Sequence, residues 1–166
     1  MTRFASLLLA LGMLAACSPQ GEATTSAPVR TESSKHPVSG LEVVPLTVTS
    51  GGKRHKFRVE VAASDAEQGR GLMFRTELGP DEGMIFPRKV PTMASFWMKN
   101  TPLPLDIIFI GPDGRIINIA ARTTPYSLDL VNSQGPTSAV LELIGGRTEE
   151  LGIKAGDSVE WQGHEW

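Results

Sequence analysis

The stretch SFWMKNTPLPLDIIFI, Ser95 to Ile110, sets a cation, an amide and a carboxylate in an otherwise apolar run. Lys99, Asn100 and Asp106 either satisfy one another or line a site. Asn100 to Leu105, stiffened by Pro102 and Pro104, reads as a hairpin loop. Lys99 and Asp106 then face each other on the two flanking strands, where opposite charges attract. By strand parity Asp106 shares a face with Ile108 and Ile110, and Lys99 shares one with Trp97. One reading is a structural ion pair at the loop mouth. The other is a partly desolvated binding site, with Trp97 as a stacking wall and Asn100 as donor and acceptor. A buried ion pair adds little stability because desolvation opposes it, which leaves room for recognition.

Glu142 poses the same question. In AVLELI, Val140, Glu142 and Ile144 share one face and Leu141 and Leu143 the other. A glutamate among apolar neighbours needs a partner, and Arg75 or Arg122 can supply one. Alternatively it lies on a solvated strand face. Asp106 and Glu142 together would supply the two carboxyl groups of glycoside hydrolysis, which must lie roughly 5–10 Å apart in one cleft. Met73, Met84, Met93 and Met98 form a third signal, since thioethers suit Cu(I). They are interleaved with Phe74, Phe86, Phe96 and Trp97, as expected of core packing. No ligand spacing of His or Met is regular, so no metal and no cofactor is expected. None of His36, His55 and His164 neighbours a G-x-S-x-G motif, and the sequence has no P-loop or dinucleotide fingerprint.

The start of the chain bears on where such a site would work. MTRFASLLLALGMLAACS has a positive Arg3 followed by an apolar run from Phe4 to Ala16. That run is shorter than the roughly 20 residues a membrane-spanning helix needs, and it matches a secretory signal. Its end, LAAC, resembles the lipobox of bacterial lipoproteins, with Cys17 as the lipidated residue. Cys17 is the only cysteine, which excludes an intramolecular disulfide and a cysteine-cluster metal site. Ser18 after it resembles the outer-membrane sorting pattern of Gram-negative lipoproteins. The expected layout is a signal peptide over 1–16, a lipidated, disordered Ser/Thr/Pro-rich tether over 17–40, and one domain over 41–166. The tether holds too little apolar surface to offset the entropy of ordering. Sixteen basic residues against eighteen acidic ones give a net charge of −2, so no nucleic-acid partner is expected. The expected location is the periplasmic side of the cell envelope.

The domain reads as strands. In HKFRVEVAA, Phe57, Val59 and Val61 alternate with Arg58 and Glu60, the period of a half-buried strand. LEVVPLTV precedes it across the turn SGGK, and Pro45 argues for an edge or a bulge. GPDG separates LDIIFI from RIINIAA as a second hairpin. SAVLELI and SVEWQ follow as further strands. Ser64 three residues before Glu67 is a capping box, and Gly71 is a plausible stop, giving a short helix over about 64–71. TEELGIKAGD has room for another turn of helix. The expected fold is mainly β, a β-sandwich or partly open barrel of antiparallel strands.

Five segments extend this reading: GLMFR (71–75), GMIF (83–86), FWMKNTPLPLDIIFI (96–110), VLEL (140–143) and GIKAGD (152–157). In this order and spacing the chain resembles the domain of unknown function family 192, over about Val43 to Val159. The resemblance implies a mainly β, sandwich-like domain and no established reaction. The expected function is a lipid-anchored envelope module that binds a small molecule, a glycan or a protein without chemistry. Its expected ligand-binding residues are Trp97, Lys99, Asn100, Asp106, Arg75 and Glu142. A carboxylate-dependent hydrolase and a copper-binding lipoprotein are the alternatives.

Overall fold

A computed structural model of the chain describes residues 34–162. The expected signal peptide, Cys17, the tether as far as residue 33, and His164 lie outside the described residues. Ser34–Lys35 forms β1, and β2 (Glu42–Ser50) turns through Gly51 and Gly52 into β3 (Lys53–Val61). After α1 (Asp65–Arg70) come β4 (Glu82–Thr92), β5 (Ser95–Phe96), β6 (Leu105–Ile110), β7 (Ile116–Ala120), β8 (Val131–Asn132) and β9 (Thr137–Ile144). The last elements are α2 (Arg147–Leu151) and β10 (Ser158–Trp161).

The main sheet runs β1-β2-β3-β4-β9-β6-β7, with β10 also on β2; β5 and β8 form a second, two-stranded sheet. The main sheet curls until its ends meet. Arg115 bridges Ser158, the Ile116 N–H donates to the Asp157 carbonyl at 2.9 Å, and the Val159 N–H donates to the Gly114 carbonyl at 2.8 Å. The mainly β expectation is therefore met as a partly open barrel. It departs from expectation in one pair, β3 with β4, which is parallel. Parallel neighbours need a crossover, and residues 62–81 supply it, carrying α1 over the outside of the sheet.

Local chemistry explains the elements. Ser64 Oγ accepts the Glu67 N–H at 3.3 Å, and Glu67 returns a bond to the Ser64 N–H at 2.8 Å. This capping box satisfies donors that the first helical turn leaves open. Pro45 does not mark an edge strand. On one side it pairs with Arg58 of β3. On the other side it falls between β1, which pairs with Glu42 and Val43, and β10, which pairs with Leu46 to Thr49. Its missing N–H therefore removes no ladder bond.

β6 is buried along its whole length because both faces of the sheet are covered there. Ile108 and Ile110 point into the barrel with Leu46, Val59, Ile85 and Leu141. Leu105, Ile107 and Phe109 point outward into a second apolar layer with Leu72, Met84, Phe86, Met98 and Val140. Alternate residues of β9 serve different layers too: Leu141 and Leu143 face the interior, Val140 the outer layer.

Residues 34–40, expected as the end of a disordered tether, belong to the domain. Beyond β1, the Gly40 N–H donates to the His36 carbonyl and the His36 N–H to the Leu41 carbonyl, both at 2.8 Å. Ser39 Oγ donates to the Glu60 carboxylate, and Arg75 Nη1 lies 2.7 Å from the other Glu60 oxygen. The ordering is polar, which a count of large apolar residues does not register.

Gly83 lies between β3 and β9, where a Cβ would stand 2.5 Å from the Glu142 carbonyl oxygen and 2.8 Å from Leu143 Cδ2. Backbone cannot yield as a side chain can, so Gly83→Ala is expected to destabilise by about 1–3 kcal/mol or more. Urea unfolding of the variant checks this, and an unchanged midpoint would contradict the tight seam.

Candidate functional site

Asp106 does not meet Lys99. Its Oδ1 accepts the N–H groups of Arg122 and Gly146, both at 2.8 Å. Its Oδ2 accepts the Thr148 N–H at 2.8 Å and the Thr148 hydroxyl at 2.6 Å. The side chain is fully buried, and these four donors replace the water it has lost. Lys99 lies at the surface with its Nζ 5.0 Å from the centroid of the Trp97 ring, a cation–π contact. Among the described residues no ion pair joins the two. The reason is topological: β5 pairs with β8, not with β6, so Asn100 to Leu105 is a connection between the two sheets rather than a hairpin loop.

Nor do Asp106 and Glu142 share a cleft. On the β6–β9 ladder Asp106 stands opposite Leu143, and Glu142 opposite Ile107. Leu143 belongs to the barrel interior and Ile107 to the outer layer. The two carboxyl groups therefore point to opposite faces of the sheet, which removes the two-carboxylate arrangement the hydrolase reading needed.

Glu142 is 5% exposed, and neither expected arginine reaches it. Arg75 is held by Glu60, and Arg122 pairs at the surface with Glu149 at 2.9 Å. With no partner of its own, the Glu142 carboxyl is pushed up to about 8 by burial alone. It lines a cavity of about 290 Å³ together with Phe86, Arg88, Phe96, Trp97, Arg70 and Met73. The crossover brings Arg70 and Met73, β4 brings Phe86 and Arg88, and β5 with its sequel brings Phe96 and Trp97.

The loops around this cavity are strained and bound together. Phe74, Asn100 and Tyr126 have φ of 64°, 55° and 62°, a region costly for bulky residues. The Phe74 N–H donates to the Asn100 carbonyl at 2.8 Å, and the Tyr126 N–H to the Thr101 carbonyl at 3.1 Å. Phe74, Trp97 and Tyr126 remain exposed. Asn100 thus acts as a tie between loops; its amide also contacts Met73 Sδ at 3.8 Å. Met98 Sδ accepts the Thr123 hydroxyl at 3.0 Å, Met93 Sδ faces the Ser133 hydroxyl at 3.9 Å, and Met84 is buried in the outer layer. The methionines are accounted for by packing and weak hydrogen bonds. Among the described residues no group of three His, Cys, Asp or Glu is placed to hold a metal ion.

Known proteins with this architecture fix its kinship. The model of the domain of unknown function family 192, described as an uncharacterized ACR, matches residues 46–161. The chain belongs to that family. Its structure is similar to that of a protein of unknown function from Novosphingobium aromaticivorans DSM 12444, 57% identical with a TM-score of 0.77, covering 80% of this chain and 94% of that one. It is also similar to a proposed transcription regulator from Sinorhizobium meliloti 1021, 36% identical with a TM-score of 0.72, covering 75% and 97%. No curated protein matches the chain.

In this family member the structure brings Trp97 and Glu142 to one cavity, sets Lys99 on the Trp97 ring, and places Arg75 and Asp106 in separate structural networks. Arg70, Arg88, Phe86 and Phe96 were not anticipated there. Arg70 ends a helix and Arg88 follows a proline in a strand, and neither position carries a spacing signal that points to Glu142.

Two expectations follow. Asp106→Ala orphans four donors and should destabilise by about 3–5 kcal/mol, the scale for stripping one partner from a buried charged network. Lys99→Met, at the surface, should change stability by no more than about 0.5 kcal/mol. Equal losses in chemical denaturation would restore the ion pair. Glu142 adds a pH signature. The folded state holds its proton more tightly than the unfolded chain does, so its contribution is most favourable below about pH 4.5 and is lost as pH rises toward 8. Glu142→Gln should flatten the stability profile across that window, and a wild-type profile with no such decline would refute the buried acid.

Proposed function

We propose that this protein is a lipid-anchored binding module of the cell envelope that takes a small molecule or a glycan in the Glu142 cavity without chemical conversion. The observation that carries this reading is a buried, unpartnered carboxyl at an aromatic-walled cavity. Strongly perturbed acids in clefts mark functional sites. The volume, about 290 Å³, suits a small ligand or one sugar-sized unit. Glu142 is the only carboxylate in the lining, so a pair of acids does not operate there. Lipidation at Cys17 supplies attachment in this reading, with the outer membrane as its destination; among the described residues no helix is long and apolar enough to cross a membrane. The name of the Sinorhizobium meliloti relative suggests transcription control. A net charge of −2 does not favour extending that role here.

Ligands that raise the melting temperature of the full chain should lose that effect in Trp97→Ala and be recovered chemically unchanged. Equal shifts in both proteins would move the site elsewhere, and a recovered product would replace binding by catalysis. Cys17→Ala should shift the protein from the membrane to the soluble fraction, whereas retention on membranes would show another means of attachment.

A further inference from the structure

The charges around the Glu142 cavity are unevenly matched. Arg54, Arg75, Arg122 and Arg147 each have a carboxylate within 3.6 Å. Arg70 and Arg88 have no such partner among the described residues, and both line the cavity. Arg70 lies over the Phe74 ring, 6.0 Å from its centroid. Arg88 gives one nitrogen to the Thr92 hydroxyl at 2.8 Å, while its Nε is buried without a hydrogen-bond partner. The one acid in the lining is Glu142, itself unpartnered.

We propose that this cavity recognises a small organic carboxylate with a ring-like apolar body. The assignment rests on the binding reading above and names its ligand class. Guanidinium groups match carboxylates in shape and charge. A neutral Glu142 is a donor, and an O–H to carboxylate bond is among the stronger hydrogen bonds. The apolar body faces Phe86 and Phe96, which meet edge to face with centroids 5.2 Å apart, and Trp97. A cationic ligand would require Glu142 to ionise in a buried place and would share the cavity with two guanidinium groups.

Every element against Glu142 fits this electrostatic picture. β4 presents Met84, Phe86 and Arg88; β6 presents Ile107; the crossover presents Arg70 and Met73; β5 and its sequel present Ser95, Phe96, Trp97 and Thr101. The charged groups among these are Arg70 and Arg88. Anion binding therefore depends on the proton of Glu142, which burial retains up to about pH 8.

The test is to titrate the 15N-labelled full chain with benzoate, benzylamine, benzyl alcohol and inorganic phosphate, following the amide signals of Phe96, Trp97 and Glu142. Benzoate is expected to shift them saturably at pH 6. Its affinity should fall about tenfold at pH 9, one unit above the Glu142 transition. Arg88→Ala should weaken it at pH 6 by at least about tenfold, the scale of one charge-assisted contact, and Glu142→Gln should remove the pH dependence. Tighter binding of benzylamine or benzyl alcohol, or affinity that rises at pH 9, overturns the carboxylate assignment and leaves the cavity a binding site. Phosphate binding as tightly as benzoate overturns the ring-like body. If none of the four probes moves these signals, the carboxylate assignment and the cavity reading both fall.

Discussion

The carboxylate of Asp106 holds three segments at one end of the sheet. It sits at the second position of β6, the strand buried on both faces. From there it gathers the backbone after β7 through Arg122, the turn after β9 through Gly146, and the start of α2 through Thr148. The Gly146 and Thr148 donors are buried and would otherwise lack an acceptor, and one acidic side chain satisfies them together with Arg122. The arrangement fixes how β7 and α2 leave the sheet. The chain beyond α2 continues to β10, whose bridge to Arg115 closes the curl. Closure of the barrel thus depends on a buried charge whose partners are dipoles rather than a cation.

Glu142 lies one residue along the ladder and one face away, and its circumstances are opposite. No donor meets it, and it stays neutral by holding its proton. The same part of the molecule carries two bulky residues, Phe74 and Tyr126, in left-handed backbone conformations. Such conformations oppose folding by about 1–3 kcal/mol each. Local preferences and global fold normally agree, and places where they disagree tend to be functional. Here an unpartnered acid, left-handed backbone and exposed aromatic rings converge on one side of one sheet.

Strand parity was legible from the sequence; what covers each face was not. The alternation in AVLELI placed Glu142 on the face opposite Leu141 and Leu143, and the structure agrees. Its lack of a partner could not be read, because Arg75 and Arg122 are engaged by Glu60 and Glu149, residues distant in sequence. Glu60 alternates with Phe57 and Val59 as a solvent-facing residue would. It is nevertheless buried, because the turn at 36–40 and Arg75 close over it. The capping box at Ser64 and the two hairpin turns were legible because their chemistry is local. The Lys99–Asp106 hairpin failed for the converse reason: charge and proline spacing cannot show that β5 chooses β8 over β6.

The parallel β3–β4 pair links fold to site. An antiparallel β4 could follow β3 through a short turn, and the outer face of β4 and β9 would then have no cover at this point. Parallel pairing forces residues 62–81 across that face. This crossover brings Leu72 onto Met84 and Phe86, and it brings Arg70 and Met73 to the cavity that Glu142 lines. The second apolar layer and the cavity therefore arise from one topological choice. That layer also explains why Glu142 is largely desolvated: the segment that covers Met84 and Phe86 leaves the acid open only to the cavity. A site of this kind needs no catalytic motif in the sequence, because its character comes from which side chains a crossover sets against a strand.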